Sequence, residues 1–152
     1  MEVEWLILAD AAQVVGNKLY LLGGGWDRLT MNRPLPTAQH LAVAASFRVP
    51  WNETNIRHTF KIVFADGDGK EIGKVEGGFE VGRPAGIPPG QDQRTQIAVE
   101  VTMRIEKLGT YQVTSELDGR EDRVFPFSVA AGPGLAPRQQ SQDGELPPQA
   151  SV

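Results

Sequence analysis

Ile97-Ala98-Val99-Glu100-Val101-Thr102-Met103-Arg104-Ile105 is the stretch whose reading decides the fold. Ile97, Val99, Val101, Met103 and Ile105 share one side of an extended chain, while Ala98, Glu100, Thr102 and Arg104 share the other. A period of two means a strand with one buried and one wetted face. Working outward, Leu41, Val43, Ala45, Phe47 and Val49 alternate in the same way between Pro36 and Pro50, and His58, Phe60, Ile62 and Phe64 follow in register. The prolines remove backbone donors and so bound the ladders.

Turn chemistry separates the runs. Gly16-Asn17 divides Glu2–Asp10 from Lys18–Leu22, Asp66-Gly67-Asp68-Gly69 divides 56–65 from 70–81, and Asp118-Gly119 precedes 123–129. The triple Gly23-Gly24-Gly25 before Trp26–Met31 marks a bulge or bend. The segment from Gly82 to Gly90, with Pro84, Pro88 and Pro89, reads as a stiff crossing loop. Residues 3–15 also fit a helix, because Trp5, Leu8, Ala9 and Ala12 would share one face; the strand reading is preferred. Leu108-Gly109-Thr110-Tyr111 entering Val113, Ser115 and Leu117 matches the corner of immunoglobulin-like sandwiches, where a Tyr at a strand start ties its hydroxyl to nearby backbone.

About eight strands with no helical period predict an all-β, two-sheet antiparallel β-sandwich over residues 1–129, of immunoglobulin-like or C2-like topology. About a dozen inward side chains at ~1.5–3 kcal/mol each offset much of the ordering entropy. Residues 130–152, rich in Pro, Gly, Gln and Ser, are expected to form a disordered tail.

Composition limits the functions. The 152 residues contain no Cys, which excludes disulfides, thiolate metal sites and cysteine nucleophiles, and only two His. A net charge of −4 with Lys and Arg scattered singly predicts no nucleic-acid partner. The acidic start at Glu2 and Glu4 and the absence of any run of ~20 apolar residues predict a cytoplasmic protein with no membrane partner. Asn52-Glu53-Thr54 fits a glycosylation acceptor and is read as a loop.

Candidate chemistry is sparse. Asp66, Asp68 and Glu71 could offer oxygens to calcium, but Asp-Gly repeats are ordinary turn chemistry and that reading is favoured. Gly23–Gly25 lacks the Lys and following helix of a phosphate loop. His40 and His58 have no nucleophile in motif spacing, and His58 falls in an inward register. Trp5, Trp26 and Trp51 could form a sugar platform, with Trp51 the one loop residue and Arg83 in the 82–92 loop beside it as a ligand site. Trp5 and Ile7 oppose Leu6 and Leu8, and Leu19 and Leu21 oppose Tyr20 and Leu22, so these strands are apolar on both faces and must be covered twice. Trp5, Leu6, Leu8, Tyr20 and Leu22 are therefore expected at an interface with a protein partner or a second copy; cover by the 82–92 loop or the tail is the alternative.

Met1–Gln13 followed by Gly16–Asp27 resembles the opening of an uncharacterised bacterial family of small single-domain proteins, a domain of unknown function, with the similarity extending through 40–49, Gly109–Tyr111 and Pro126–Val129. The resemblance implies one compact domain and brings no site residue with it. The expected function is a non-enzymatic interaction or assembly module that forms a homo-oligomer and needs no cofactor. A small-ligand or carbohydrate binder is the alternative, and an enzyme using Asp66, Asp68 or His58 stands third.

Overall fold

A computed structural model describes residues 1–135. Among the described residues nine strands form: β1 Glu2–Val15, β2 Lys18–Gly24, β3 Arg28–Met31, β4 Thr37–Val49, β5 Arg57–Ala65, β6 Glu71–Glu80, β7 Gln93–Ile105, β8 Gly109–Leu117 and β9 Arg120–Ala131. One 3-10 turn, Trp51–Glu53, follows Pro50. No helix among them is long and apolar enough to cross a membrane.

The strands make two sheets, β2-β1-β4-β7 and β3-β9-β8-β5-β6. Strands β5, β8 and β9 lie in the C-F-G order of an immunoglobulin-type sandwich, and β1, β4 and β7 in its A-B-E order. Two details depart from the sequence reading. The bend at Gly23–Gly25 separates β2 from an independent strand β3, and β3 pairs with β9 in parallel, Arg28 opposite Ser128 through Met31 opposite Ala131. The sheets are otherwise antiparallel.

The alternating residues fill the space between the sheets. Leu41, Val43, Ala45 and Phe47 from β4 and Val101, Met103 and Ile105 from β7 meet Ile62 and Phe64 from β5 and Tyr111, Val113 and Leu117 from β8. The Phe47 ring stacks on Phe79 at 5.3 Å between centroids. The tyrosine corner is present: the Tyr111 hydroxyl donates to the Lys107 carbonyl at 2.6 Å, and the ring stacks on Phe127 at 5.4 Å.

Residues 3–15 are strand, not helix, and β1 runs on to Val15 rather than ending at Asp10. Strand β9 also outlasts its expected end at Val129. Gly132 N–H donates to the Met31 carbonyl and Leu135 packs against the core, so the described chain leaves the domain later than position 130. The rest of the expected tail, 136–152, lies outside the described residues.

Candidate functional site

The first strand explains the doubly apolar pattern. A register shift between Val3 and Trp5 puts Val3, Leu6 and Leu8 on the core face, and all three are buried in the core cluster. Leu6 and Leu8 are therefore core residues, not interface residues, because the bulge turns them inward. Trp5 and Ile7, both half-buried, point to the outer face of the four-stranded sheet. There Trp5 sits across from Ser46, which sits across from Gln96, and Ala9 sits across from Ala42, which sits across from Glu100.

An outer sheet face should be wet, yet Ala9, Ala42, Ala44 and Ser46 have 0% exposure and none belongs to the core cluster. Their cover is the chain's own β1–β2 hairpin. Extended straight from Ala9, the hairpin would leave the sheet; instead Gln96 Nε2 donates to the carbonyl of Asn17 at its tip, 3.3 Å away. Strand β1 also touches β7, although β4 lies between them in the sheet. The arm from Ala11 to Leu22 is thus folded back across the outer face, over a floor of alanines small enough to admit it.

The bend lies at Asp10 and Gly23, between the Ala9–Gly24 and Ala11–Leu22 pairs. Gly23 has φ +59°, and a Cβ there would overlap the Asp10 carboxylate. The following Gly25 N–H donates to the Leu8 carbonyl at 2.8 Å, which closes the bend. Gly16 and Asn17 have φ of 56° and 59°, as a two-residue type I′ turn requires.

Apolar side chains of the arm remain open to solvent on both of its faces. Val15 (56%), Tyr20 (52%), Leu21 (38%) and Leu22 (71%) are four of the seven exposed large apolar side chains among the described residues. Tyr20, Leu21 and Leu22 border a groove of about 370 Å³ that Ala11, Ala12 and Gln13 also line, with Glu100 on its rim. Of the interface residues expected from sequence, Tyr20 and Leu22 are thus on the surface and Trp5 is half-buried on the outer face of the sheet.

The other candidates have their own partners. Asp66 Oδ1 accepts the N–H groups of Asp68 (2.9 Å) and Lys70 (3.0 Å), and Lys107 forms ion pairs with both Asp66 and Asp68. Burial would raise the Asp66 pKa, but the two N–H bonds and Lys107 hold it below the ordinary value. The cation facing these carboxylates is a lysine, and Glu71, exposed at the start of β6, makes no ion pair with that lysine among the described residues. Trp51 and Arg83 do meet, but with each other. The guanidinium lies 4.1 Å over the indole, anchored by Thr54 Oγ1 (2.6 Å) and the Trp51 carbonyl (2.8 Å), so a sugar stacking on that ring face must displace it. Trp26 packs edge-on against Phe127 at 6.3 Å and Trp5 lies on the outer sheet face, so the three indoles form no platform.

His40 is exposed on β4, 3.4 Å from Thr102 and 3.7 Å from Glu100. His58 is buried, in its expected register. Its Nδ1 donates to Asp118 Oδ2 at 2.8 Å and its Nε2 to the Glu53 carbonyl at 2.7 Å. Both partners are acceptors, so this geometry favours the doubly protonated imidazolium, the form that can donate from both nitrogens. Burial lowers its pKa, but the Glu53 carbonyl and the Asp118 carboxylate outweigh that and raise it above the ordinary value. The arrangement is a clamp between β5, the 51–53 turn and the β8–β9 turn, and among the described residues no hydroxyl is bonded to the ring.

A second charged cluster has no local sequence signal. Glu4, at the β1 bulge, accepts from Ser46 Oγ (2.9 Å), from Arg48 Nε and Nη2 (3.1 and 2.8 Å) and from both Nε and Nη2 of Arg94. The Arg94 and Arg48 guanidinium groups hold its carboxyl down to about 2. It closes one end of the outer face.

These features define a small immunoglobulin-type sandwich with one sheet face roofed by its own hairpin. Residues 4–130 match the Family of unknown function (DUF6941), and the chain belongs to that family. No curated protein matches the sequence. Similar solved structures include a glycosyl hydrolase family 2 member from Bacteroides cellulosilyticus DSM 14838, at 15% identity and a TM-score of 0.38, the match covering 62% of this chain and 13% of that one. A structure of a glycosyl hydrolase family 2 member from Bacteroides cellulosilyticus obtained from microfluidic crystals gives 15% identity and a TM-score of 0.37, with 62% and 12% covered. The chain therefore spans about an eighth of the length of these structures.

Proposed function

We propose that this protein is a non-enzymatic interaction module that self-associates through the outward face of the β1–β2 arm. The observation that carries the reading is the clustering of Tyr20, Leu21, Leu22 and Val15, all exposed, on one hairpin. Scattered apolar side chains are normal on a surface, whereas a contiguous apolar patch marks a contact site. Function by contact also suits a site inventory in which Asp66, Asp68 and the buried imidazole are engaged in structural bonds.

Sedimentation of the purified chain tests the reading. The expected outcome is a species of twice the chain mass that dissociates on dilution, and that Leu22→Glu converts to monomer without lowering the melting temperature. Leu22 is 71% exposed, so a charge there costs the isolated fold little. A wild-type monomer at every concentration, or a dimer indifferent to Leu22→Glu, counts against the proposal.

A further inference from the structure

Of the four sheet edges, three are guarded. Strand β3 has four residues and begins with Arg28, β6 carries Glu71, Lys74, Glu76 and Glu80, and β7 carries Arg94, Glu100 and Arg104. Short edges and charges are what keep an unpaired ladder from recruiting another strand. Strand β2, Lys18-Leu19-Tyr20-Leu21-Leu22-Gly23-Gly24, has one charge at its very start.

The hairpin turn fixes which backbone groups are free. In a two-residue turn the flanking pair, Val15 and Lys18, exchanges hydrogen bonds, and the bonded pairs then recur at every second position. Lys18, Tyr20 and Leu22 thus turn their N–H and C=O groups toward Val15, Gln13 and Ala11, while Leu19 and Leu21 turn theirs outward. Gly23, at φ +59°, has left the extended conformation and cannot continue a ladder.

We propose that the occupant of this edge is β2 of a second copy, added antiparallel about a two-fold axis at Tyr20. This rests on the self-association reading above and specifies its geometry. Only this register uses Leu19 and Leu21 as bonded partners of Leu21 and Leu19 of the other copy, giving four hydrogen bonds without involving Gly23. Tyr20 then faces Tyr20 across a non-hydrogen-bonded pair, where side chains approach most closely. Lys18 falls opposite Leu22 of the other copy, on the groove whose rim carries Glu100. Among the described residues Lys18 has no ion-pair partner, so the two-fold supplies its complementary charge twice. The two arms then form one four-stranded antiparallel sheet in the order β1-β2-β2-β1, joined to each domain at its Asp10–Gly23 bend.

Proline at position 21 removes an outward N–H and no bond to β1, so Leu21→Pro separates strand pairing from side-chain contact. The expected result is a monomer with wild-type melting behaviour in dilute solution. In the wild type, amide exchange at Leu19 and Leu21 should slow about tenfold or more from dilute to concentrated protein, while the Tyr20 amide, bonded to β1, slows little. A dimer abolished by Leu22→Glu but retained by Leu21→Pro keeps the arm as an interface and overturns the strand pairing. Exchange at Leu19 and Leu21 that is independent of concentration overturns it also, whether or not the proline variant folds. A wild-type monomer overturns both readings.

Discussion

At the scale of single residues, several side chains act through one well-made bond. Tyr111 is 2% exposed, and its hydroxyl is the partner of the Lys107 carbonyl at the corner between β7 and β8. Tyr111→Phe keeps the ring against Phe127 but leaves that carbonyl without its donor. The expected loss is about 1–3 kcal/mol in urea unfolding with an unchanged denaturant slope; a loss within error would mean the corner is ornamental. This residue was legible in the sequence because the motif is local: four positions separate the hydroxyl from its acceptor. His58 was legible only by half. Its inward register followed from Phe60 and Ile62, whereas its partner Asp118 lies sixty positions away and carries no signal beyond a turn. Glu4 between Arg48 and Arg94 was not legible at all, since three strands must pair before those charges meet.

At the scale of elements, alternation reported β4, β5, β7 and β8 well, because each has one core face and period two is then obligatory. It misassigned Leu6 and Leu8, because one extra residue at the bulge near Glu4 inverts the face of everything after it. The folded arm could not be read from hydrophobicity, since its direction is set by backbone conformation at Gly23 and by a contact with Gln96 on a distant strand. The Gly23 bend therefore predicts a specific epistasis. Gly23→Ala places a Cβ in the left-handed region and against the Asp10 carboxylate, and should cost about 1–3 kcal/mol and loosen the arm. Adding Asp10→Ala should recover the steric share and leave the conformational one, so the double variant lies between wild type and single variant. The side-chain amide of Gln96, observed by NMR, reports whether the tip of the arm stays in place; equal effects of the single and double variants would refute the steric role of Asp10.

At the scale of the whole molecule, buried and shielded charges set a pH window. His58 has a raised pKa, so its contribution is complete below its ordinary value of 6.5 and is lost as pH rises through the raised one. At Asp118 burial raises the pKa, but the Thr59 N–H and His58 more than offset this and lower it below 3.8; Glu4 is lowered from 4.5 to about 2. Their contributions are complete above those ordinary values and are lost as pH falls. Thermal melting should accordingly be highest between about pH 4.5 and 6.5 and decline on both sides, the alkaline decline flattening in His58→Gln. An alkaline limb unchanged in that variant would remove His58 as its cause.

The parallel pairing of β3 with β9 also orders events in time. β3 is the edge of its sheet, and β9 is its one neighbour among the described residues, so Arg28–Met31 must wait for a partner exactly one hundred positions downstream. During synthesis the ladders that do not use β9 can form before residue 128 leaves the ribosome, whereas β3–β9 and the β8–β9 ladder cannot be completed until then. Leu29 and Met31 are made early and covered late, which gives the nascent chain a hydrophobic segment for a chaperone to hold until β9 emerges to pair with both β3 and β8.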